Sequence, residues 1–347
     1  MTEDPYVTDD WHGRFAHLML GDSCERLAEL ADGTADLSVH SPPFDDLFTY
    51  SNSDRDLGNS SSREQFLAHY RFVVAELFRL TKPGRVAAVH VMDVATRKSV
   101  QGVIGLSDFS GDVVRLYQSE GWTYVARVTV RKSPQAAAQR TKAHGLMFTQ
   151  LHRDSSMTRP VHPDYLLVFR KPGENAVPVR SDVDNETWIE WAEAIWNGVR
   201  ETYTLNHRPA REDNDEKHIA PLQLDLIERC VRLWSNVGET VLSPFGGVGS
   251  EPYMAVKLGR RAVSCELKRS YWETAVKNLS ALEEELTAAT LFEGFSVTGR
   301  SGTASPPGSA AITLAGGCPT IKGNTIVGGD VTGGGFGADR SVGMLVR

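Results

Sequence analysis

Residues 240–250 read TVLSPFGGVGS, and this stretch decides the fold class because it combines three local signals. Its apolar start predicts a buried strand, and its glycines predict a tight turn. Apolar residues at Met254, Ala255 and Leu258 then recur at the spacing of a helix. A strand, a glycine turn and a helix in this order leave backbone N–H groups free at the start of the helix, where a nucleotide-like ligand can bind.

A second informative segment, Ser41-Pro42-Pro43-Phe44, follows a strand-like run at residues 36–40. Its two prolines fix the backbone, and they would present a polar side chain and an aromatic ring at the end of a strand. Each of the two segments is ordinary alone. Their combination, with the proline segment first in the chain, is distinctive.

Together the two segments resemble the amino-methyltransferases of DNA. In these enzymes a Pro-Pro-aromatic motif, headed by Asp, Asn or Ser, holds the exocyclic amine of a base beside the methyl donor, and the glycine turn binds S-adenosyl-L-methionine (AdoMet). The resemblance covers most of residues 13–287, in the motif order of the β class. It implies an α/β, Rossmann-like, AdoMet-dependent methyltransferase fold that is circularly permuted. The expected sheet is mostly parallel, with helices on both faces and an inserted target-recognition region.

Three further segments extend the resemblance. Residues 218–229, HIAPLQLDLIER, align without gaps on the HPTQKPLELLER stretch typical of the class, although residues 219–223 depart from it. Gly259-Arg260-Arg261 followed by Glu266 resembles the family's GRR…GIE segment. Gly21-Asp22 resembles the turn before the catalytic strand, whose Asp is expected near the adenine of the donor.

Glu266 strengthens the interpretation of a nucleotide site. It ends the next predicted strand, where a carboxylate can accept hydrogen bonds from both ribose hydroxyls, although a surface carboxylate would also fit the pattern. Ser243 stands where the family usually has Asp, so a carboxylate expected at the methionine end of the donor is missing. The resemblance implies these AdoMet-binding residues: Asp22, His218, Ser243, Phe245, Gly246, Gly247, Gly249, Ser250 and Glu266.

The resemblance also assigns the catalytic residues, which are Ser41, Pro42, Pro43 and Phe44. Acceptors at position 41 and at the Pro42 carbonyl would hold the amine and make its nitrogen more sp³-like. Attack on the sulfonium methyl group is then an in-line displacement without a covalent enzyme intermediate, accelerated mainly by proximity and orientation. Phe44 would stack on the target base, which must leave the duplex to reach the site.

The net charge of −7 conceals a basic segment. Residues 127–171 contain nine Lys and Arg against two acidic residues, and phosphate binding needs a local positive surface rather than a positive molecule. A solvated basic loop is the alternative interpretation. As a target-recognition region, the segment would contact DNA through Arg131, Lys132, Arg140, Lys142, His152, Arg153 and Arg159.

The chain divides into four predicted regions: a catalytic half, a target-recognition insertion with a connecting region, an AdoMet-binding half and a Gly/Ser-rich tail. Their bounds are 13–130, 131–216, 217–287 and 288–347, and a strand at 164–171 within the second region returns to the sheet. We expect residues 131–163 to be irregular. We also expect Trp188 and Trp191 to pack against the core, because their helical spacing points them the same way.

Composition limits which other classes of protein the chain could belong to. Hydrophobic content of 41% and charged content of 23% are ordinary for a soluble globular protein, and no apolar run is long enough to span a membrane. The N-terminus lacks the features of a signal peptide, and the four scattered cysteines suggest neither a zinc site nor a disulfide framework. We therefore expect a cytoplasmic protein that uses no metal.

Several functional choices stay open on the sequence alone. Ser at the head of the proline motif favours cytosine N4 over adenine N6 as the methylated atom, by resemblance to the family. An NAD-dependent oxidoreductase could use the same glycine turn, and a methylase homologue could bind DNA after losing catalysis. Double-stranded DNA is the expected partner, and a homodimer or a cognate restriction endonuclease is left open.

Overall fold

The computed structural model describes residues 6–43, 55–96, 102–103, 105–141, 146–210 and 221–293, without the side chains of residues 140–141 and 289–293. Three predicted site residues, Phe44, Lys142 and His218, lie outside the described residues. The fold and site below belong to the first of the chain's two units, residues 1–283.

Strands and helices alternate through the first unit, as the sequence predicts. The described strands are β1 Asp9–His12, β2 Ala16–Leu20, β3 Ala35–His40, β4 Thr81–Met92, β5 Val94–Ala95, β6 Leu106–Ser107, β7 Thr123–Val130, β8 Asp164–Arg170, β9 Ile195–Trp196, β10 Thr240–Ser243 and β11 Arg261–Glu266. The described α-helices are α1 Ser23–Arg26, α2 Arg63–Leu80, α3 Phe109–Ser119, α4 Pro134–Thr141, α5 Phe148–Arg153, α6 Asn185–Trp191, α7 Leu224–Trp234, α8 Ser250–Lys257 and α9 Arg269–Glu293.

The main sheet has the strand order β1-β2-β11-β10-β3-β4-β8-β7-β9. Strands β2, β11, β10, β3 and β4 run parallel to one another, whereas β8 is antiparallel to both β4 and β7. This arrangement confirms the α/β class and the largely parallel sheet. The permuted order is visible at the centre, where β10, which precedes the glycine turn, pairs with β3, which precedes the proline motif.

The sheet topology brings distant segments to one edge, because parallel strands end on the same side. The register pairs Ser38 with Leu242, so the chain leaves β3 and β10 side by side. On the same edge, Asp164 at the start of β8 pairs with both Met92 and Val130. The segment between β7 and β8 therefore extends from the edge that carries both motifs.

Helix α2 illustrates how the sequence forms its elements. Its buried residues recur at spacings of three and four, and they pack one face of the helix into the core: Phe66, Tyr70, Val73, Val74, Leu77 and Leu80. Ser62 caps the helix, because its hydroxyl accepts a hydrogen bond from the Gln65 N–H at 3.2 Å. Among the described residues, no helix is long and apolar enough to cross a membrane.

Two local predictions were wrong. Residues 131–163 are not irregular throughout, because they include α4 and α5. Helix α4 begins at Pro134 after Ser133, whose hydroxyl accepts a hydrogen bond from the Ala136 N–H at 3.3 Å. Trp188 is 55% exposed rather than packed in the core. The buried tryptophan of this region is Trp196, because β9 joins the edge of the main sheet next to β7.

Candidate active site

The glycine turn forms one wall of a pocket at the carboxyl edge of the sheet. Its backbone is held by the Gly246 N–H, which donates to the Cys265 carbonyl at 2.7 Å. A side chain at Gly246 would collide with this neighbouring strand, since a Cβ there would overlap the Ser264 hydroxyl. Gly249 has φ +89°, a conformation that favours glycine, and it caps α8. Glycine is therefore required at position 246 because the neighbouring strand is too close for a Cβ atom, and at position 249 because of the positive φ.

Glu266 links the turn to the next strand. Its carboxylate accepts hydrogen bonds from the backbone N–H groups of Gly247 at 2.7 Å and Lys268 at 2.8 Å. Burial of the carboxyl group raises the pKa of Glu266 to about 7, and the nearby charge of Asp56 acts in the same direction. The carboxyl group thus orders the turn in the free protein, while its raised pKa marks a desolvated acid beside the pocket.

The Gly21-Asp22 turn lies against the same wall. The Gly21 N–H donates to the Glu266 carbonyl at 2.8 Å, which places the end of β2 beside the end of β11. Asp22 caps α1 by accepting a hydrogen bond from the Cys24 N–H at 2.9 Å, and it forms an ion pair with Arg55 at 3.3 Å. The predicted adenine-side Asp is therefore held in place at the pocket.

The start of α1 is tied to the glycine turn by a further hydrogen bond. The Ser23 hydroxyl donates to the carbonyl of Pro244, which directly follows β10. The two ends of this wall are thus fixed to each other. We call the wall the donor side, and it comprises Asp22, residues 244–248, Ser250, Glu251 and Glu266.

Ser41 belongs to another wall of the pocket, at the end of β3. Its hydroxyl oxygen lies 3.1 Å from Nδ1 of His90 and 3.2 Å from the His90 carbonyl oxygen. His90 Nε2 lies 3.0 Å from Oδ2 of Asp164, and the same oxygen pairs with Lys132 Nζ at 2.7 Å. Ser41 therefore heads a hydrogen-bonded chain that crosses β4 and β8. We call these four residues the acceptor side.

The ionisation of Asp164 follows from this chain. Asp164 is buried, with 1% of its surface exposed, and burial alone would raise its pKa. The charges and hydrogen bonds of His90 and Lys132 outweigh that effect and hold the pKa of Asp164 below its ordinary value. The carboxylate is thus ionised and compensated, so it can orient the His90 ring.

A second buried network supports the start of the proline motif. His40, which directly precedes Ser41, lies 3.1 Å from the hydroxyls of both Tyr70 and Tyr117. Its other ring nitrogen lies 3.1 Å from the Ser38 hydroxyl. Burial lowers the pKa of His40 to about 3, so the imidazole is neutral at physiological pH. This network fixes the end of β3 without placing a charge next to Ser41.

Most of the predicted catalytic and AdoMet-binding residues meet in the pocket. Among the described residues, those that line it are Asp22, Ser41, Pro42, Pro43, Phe245, Gly246, Gly247, Ser250 and Glu266. Within that described set, Ser243 and Gly249 do not line it. Ser243 is 1% exposed, and its hydroxyl has no hydrogen-bond partner among the described residues.

Several residues of the site are not predicted from the sequence. Glu251 lines the pocket and is 4% exposed, and it could be found by extending the glycine-turn motif one residue beyond Ser250. Burial raises the pKa of Glu251 to about 8, and repulsion from Glu266 adds to the effect. His90 and Asp164 carry no local motif, since one lies within β4 and the other begins β8.

The predicted DNA-contacting residues have different surroundings. Arg131, His152 and Arg153 are exposed, and Arg159 is partly buried beside His162. Lys132 belongs to the acceptor side through its ion pair with Asp164. The structure describes the backbone of Arg140, in α4, but not its side chain.

The donor side suits AdoMet. The glycine turn lets a ligand approach the backbone closely, and the carboxyl groups of Glu251 and Glu266 suit cationic groups and ribose hydroxyls. Phe245 and Leu222 add apolar surface to the same pocket. When bound, AdoMet supplies an activated methyl group.

Comparison with known proteins agrees with this geometry. The family model described as DNA methylase, of the N6/N4 type, matches residues 35–277. Type II methyltransferase M.MjaI of Methanocaldococcus jannaschii is 24% identical over 282 residues, covering 73% of this chain and 88% of its own. Type II methyltransferase M.MthZI of Methanothermobacter thermautotrophicus is 25% identical over 265 residues, covering 70% of each chain.

Solved structures share the fold. TTHA0409 of Thermus thermophilus, in complex with S-adenosyl-L-methionine, is 25% identical with a TM-score of 0.58, covering 76% of this chain and 92% of its own. The cytosine-N4-specific PvuII DNA methyltransferase is 15% identical with a TM-score of 0.54, covering 79% and 91%, and this likeness concerns the fold alone. The chain therefore belongs to the N6/N4 DNA methylase family, the DNA methyltransferases that use AdoMet as methyl donor.

Proposed function

We propose that this protein is a site-specific DNA methyltransferase that methylates the exocyclic N4 of a flipped cytosine. The observation that carries the proposal is the position of Ser41, which lines the same pocket as the donor side and is backed by His90 and Asp164. A neutral hydroxyl heads the proline motif, where adenine N6 enzymes more often carry Asp or Asn. Ser41 thus favours cytosine N4, and adenine N6 is the second candidate.

The acceptor side supplies the polar groups that amine methylation needs. With Nε2–H of His90 donating to Asp164, Nδ1 is the ring nitrogen that accepts the hydrogen of the Ser41 hydroxyl. The lone pairs of Ser41 can then accept a hydrogen bond from the amine, which favours a nucleophilic nitrogen. The Pro42 carbonyl is the second acceptor, and Phe44 is the proposed stacking partner of the base.

The same chain offers a route for the proton that the methylated amine must lose. The amine passes its proton to the Ser41 oxygen while Ser41 passes its own hydrogen to Nδ1 of His90. The resulting imidazolium is stabilised by the Asp164 carboxylate, which Lys132 helps to keep ionised. Solvent receives the proton when His90 returns to its neutral form.

The insertion between β7 and β8 is the proposed target-recognition region. It extends from the edge of the sheet that carries Ser41, and Arg131, His152 and Arg153 are exposed on it. Apolar side chains are exposed beside these basic groups, including Phe148 at 74% and Leu151 at 50%. Basic groups suit phosphates, and apolar groups suit the gap left by a flipped base. The proposed division of the chain remains 13–130, 131–216, 217–287 and 288–347.

The names of the relatives suggest a biological setting. M.MjaI and M.MthZI are named Type II methyltransferases. We propose a restriction-modification role with double-stranded DNA as substrate, for which a restriction endonuclease of matching specificity would be the partner.

The proposal is tested by expressing the protein in a host that lacks DNA methylation and sequencing the genomic DNA with detection of modified bases. We expect N4-methylcytosine in one sequence context, and strongly reduced modification with Ser41→Ala. N6-methyladenine in the wild-type sample would overturn the choice of atom. An unmodified genome, with the melting temperature of the protein raised by NAD and not by AdoMet, would favour the oxidoreductase instead.

A further inference from the structure

We propose that Glu251 binds the α-ammonium group of AdoMet, and that it provides the carboxylate which Ser243 does not. The inference rests on AdoMet binding at the donor side and adds a ligand residue that the motifs do not include. Glu251 would contact the methionine end of AdoMet, whereas Glu266 is expected to bind the ribose hydroxyls.

The position of Glu251 supports this role. It lies in the first turn of α8, immediately after the glycine turn, and it lines the pocket together with Ser250 and Glu266. The residue is 4% exposed. Its carboxylate accepts a hydrogen bond from its own backbone N–H, and no other described side chain bonds to it. A buried carboxyl group without a cationic partner among the described residues therefore lies at the pocket, which is the environment that a ligand cation would complete.

Ser243 cannot fill this role. Its hydroxyl is buried and without a partner among the described residues, and the residue does not line the pocket. Glu251 lines the pocket from the other end of the glycine turn. The turn therefore presents a carboxyl group at its helical end, although its strand end has lost the acidic residue that is usual in the family.

The chemistry of the ligand supplies the next step. The α-carboxylate of a bound methionine group would be attracted to the positive end of a helix, here the N-terminus of α8. The α-ammonium is attached to the same carbon atom, so it would lie within a few ångströms of that helix end. Glu251 is the acidic residue in the first turn of α8. It is therefore placed to pair with the ammonium group.

A negative charge on Glu251 is unfavourable in the free protein. Burial and the repulsion from Glu266, which lines the same pocket, raise the pKa of Glu251 to about 8. A bound ammonium group favours the ionised carboxylate, so it would displace the proton of Glu251 near neutral pH.

The two cations that line the pocket interact with other carboxyl groups. Arg55 is paired with Asp22 and Glu25, and Lys268 lowers the pKa of Glu266 rather than that of Glu251. The pocket wall also includes the carboxyl group of Asp56. The charged residues of the two neighbouring elements are Asp225, Glu228, Arg229 and Arg232 on helix α7 and Arg261 on strand β11.

The test is calorimetric titration of AdoMet into the protein without DNA, at pH 7, in two buffers of different ionisation enthalpy. We expect the wild type to release about one proton as AdoMet binds, from Glu251 with a share from Glu266. Glu251→Gln should weaken AdoMet binding about 10- to 100-fold and should remove most of the proton release. Glu186→Gln is the matched control, because Glu186 is an exposed residue in the first turn of α6.

A second ligand and a second variant sharpen the result. S-adenosylhomocysteine keeps the ammonium but lacks the sulfonium charge, so Glu251→Gln should weaken its binding by the same factor. Glu251→Asp keeps the carboxylate and should retain the proton release. Unchanged affinity and proton release in Glu251→Gln would overturn the proposal, as would an affinity loss confined to AdoMet.

These outcomes are separate from the identity of the methylated base, because no DNA is present. If the wild type binds AdoMet but its DNA product is not N4-methylcytosine, the proposed function fails while the role of Glu251 stands. If Glu251→Gln does not fold, the proton release of the wild type and of Glu251→Asp still tests the role of Glu251. A wild type that releases no proton on binding AdoMet contradicts the assignment.

Discussion

The donor side and the acceptor side of the pocket are built in different ways. The donor side comes mainly from one contiguous stretch, residues 244–251, whose backbone follows from its glycines. The acceptor side combines single side chains from β4, β8 and the segments after β3 and β7. A site made from backbone can be recognised in a short motif, whereas a site made from scattered side chains becomes visible only when the strands are paired.

The two sides also differ in their charge balance. On the donor side, burial raises the pKa values of Glu251 and Glu266 to about 8 and about 7. On the acceptor side, His90 and Lys132 overcome burial and lower the pKa of Asp164. The donor side is thus suited to receive a cation, while the acceptor side already contains its own. Changes on the two sides should consequently affect different measurements.

The largest expected effect is that of Ser41→Ala on methyl transfer. Loss of the proposed acceptor for the amine should reduce the single-turnover rate about 10²- to 10³-fold. AdoMet affinity should stay near that of the wild type, because Ser41 belongs to the acceptor side. Ser119→Ala, at the end of α3, is the control. A wild-type rate in Ser41→Ala would reduce the proline motif to a structural turn.

Asp164→Asn tests the remainder of the acceptor side. It keeps the size of the side chain but removes the charge that orients His90 and pairs with Lys132. We expect the single-turnover rate to fall about 10- to 100-fold, with a changed pH profile and unchanged AdoMet affinity. A lower rate with an unchanged pH profile would indicate that Asp164 acts only through the fold.

Glu266→Gln should act on the donor side instead. It keeps one acceptor oxygen but removes the charge, so AdoMet binding should weaken about 10-fold in calorimetry. DNA binding without AdoMet should be unaffected. Equal AdoMet affinity in the variant and the wild type would remove Glu266 from the donor side.

The basic insertion should give a smaller effect that depends on salt. Replacing exposed Arg131 and Arg153 by Gln should reduce the slope of log K against log salt by about 0.9 for each phosphate that is no longer neutralised. AdoMet affinity should not change. Arg71→Gln is the control, since Arg71 is exposed on α2, outside the insertion. A slope equal to that of the wild type would support the solvated-loop interpretation.

A separate effect concerns stability rather than activity, through the His40 network. The folded-state pKa of His40 is about 3, below its ordinary value of 6.5, so the unfolded chain binds the proton more readily. The contribution of neutral His40 to the free energy of unfolding is therefore fully present above pH 6.5. It is lost as pH falls towards 3, by at most about 1.4 kcal/mol per pH unit. His40→Gln should show a weaker decline than the wild type in denaturant titrations at pH 7 and pH 5. Parallel declines would contradict the neutral buried state of His40.

Sequence patterns predict the fold largely because its elements carry local signals. The α/β class and the parallel centre follow from apolar runs and turns, and the strand order confirms both. Helix α4 is not predicted, although Ser133-Pro134 is a helix start, because basic residues and prolines obscure the apolar spacing of this segment. The prediction for Trp188 was wrong since helical spacing does not say which face meets the core.

The site is predictable to a lesser extent. The turn at residues 244–250 and Ser41 stand out as motifs, and the structure places them in one pocket. His90 and Asp164 cannot be found from the sequence, because their meeting depends on the register that pairs β4 with β8. Glu251 lies one residue beyond the glycine-turn motif, and its importance follows from burial, which composition does not reveal.

The most direct test of the central claim uses AdoMet with a deuterated methyl group, DNA and the purified protein, followed by mass spectrometry of the released nucleosides. We predict labelled N4-methylcytosine with the wild type, a strongly reduced yield with Ser41→Ala, and a yield restored by higher AdoMet concentration with Glu266→Gln. Labelled product at the wild-type rate from Ser41→Ala, or no labelled nucleoside from the wild type, would contradict the account.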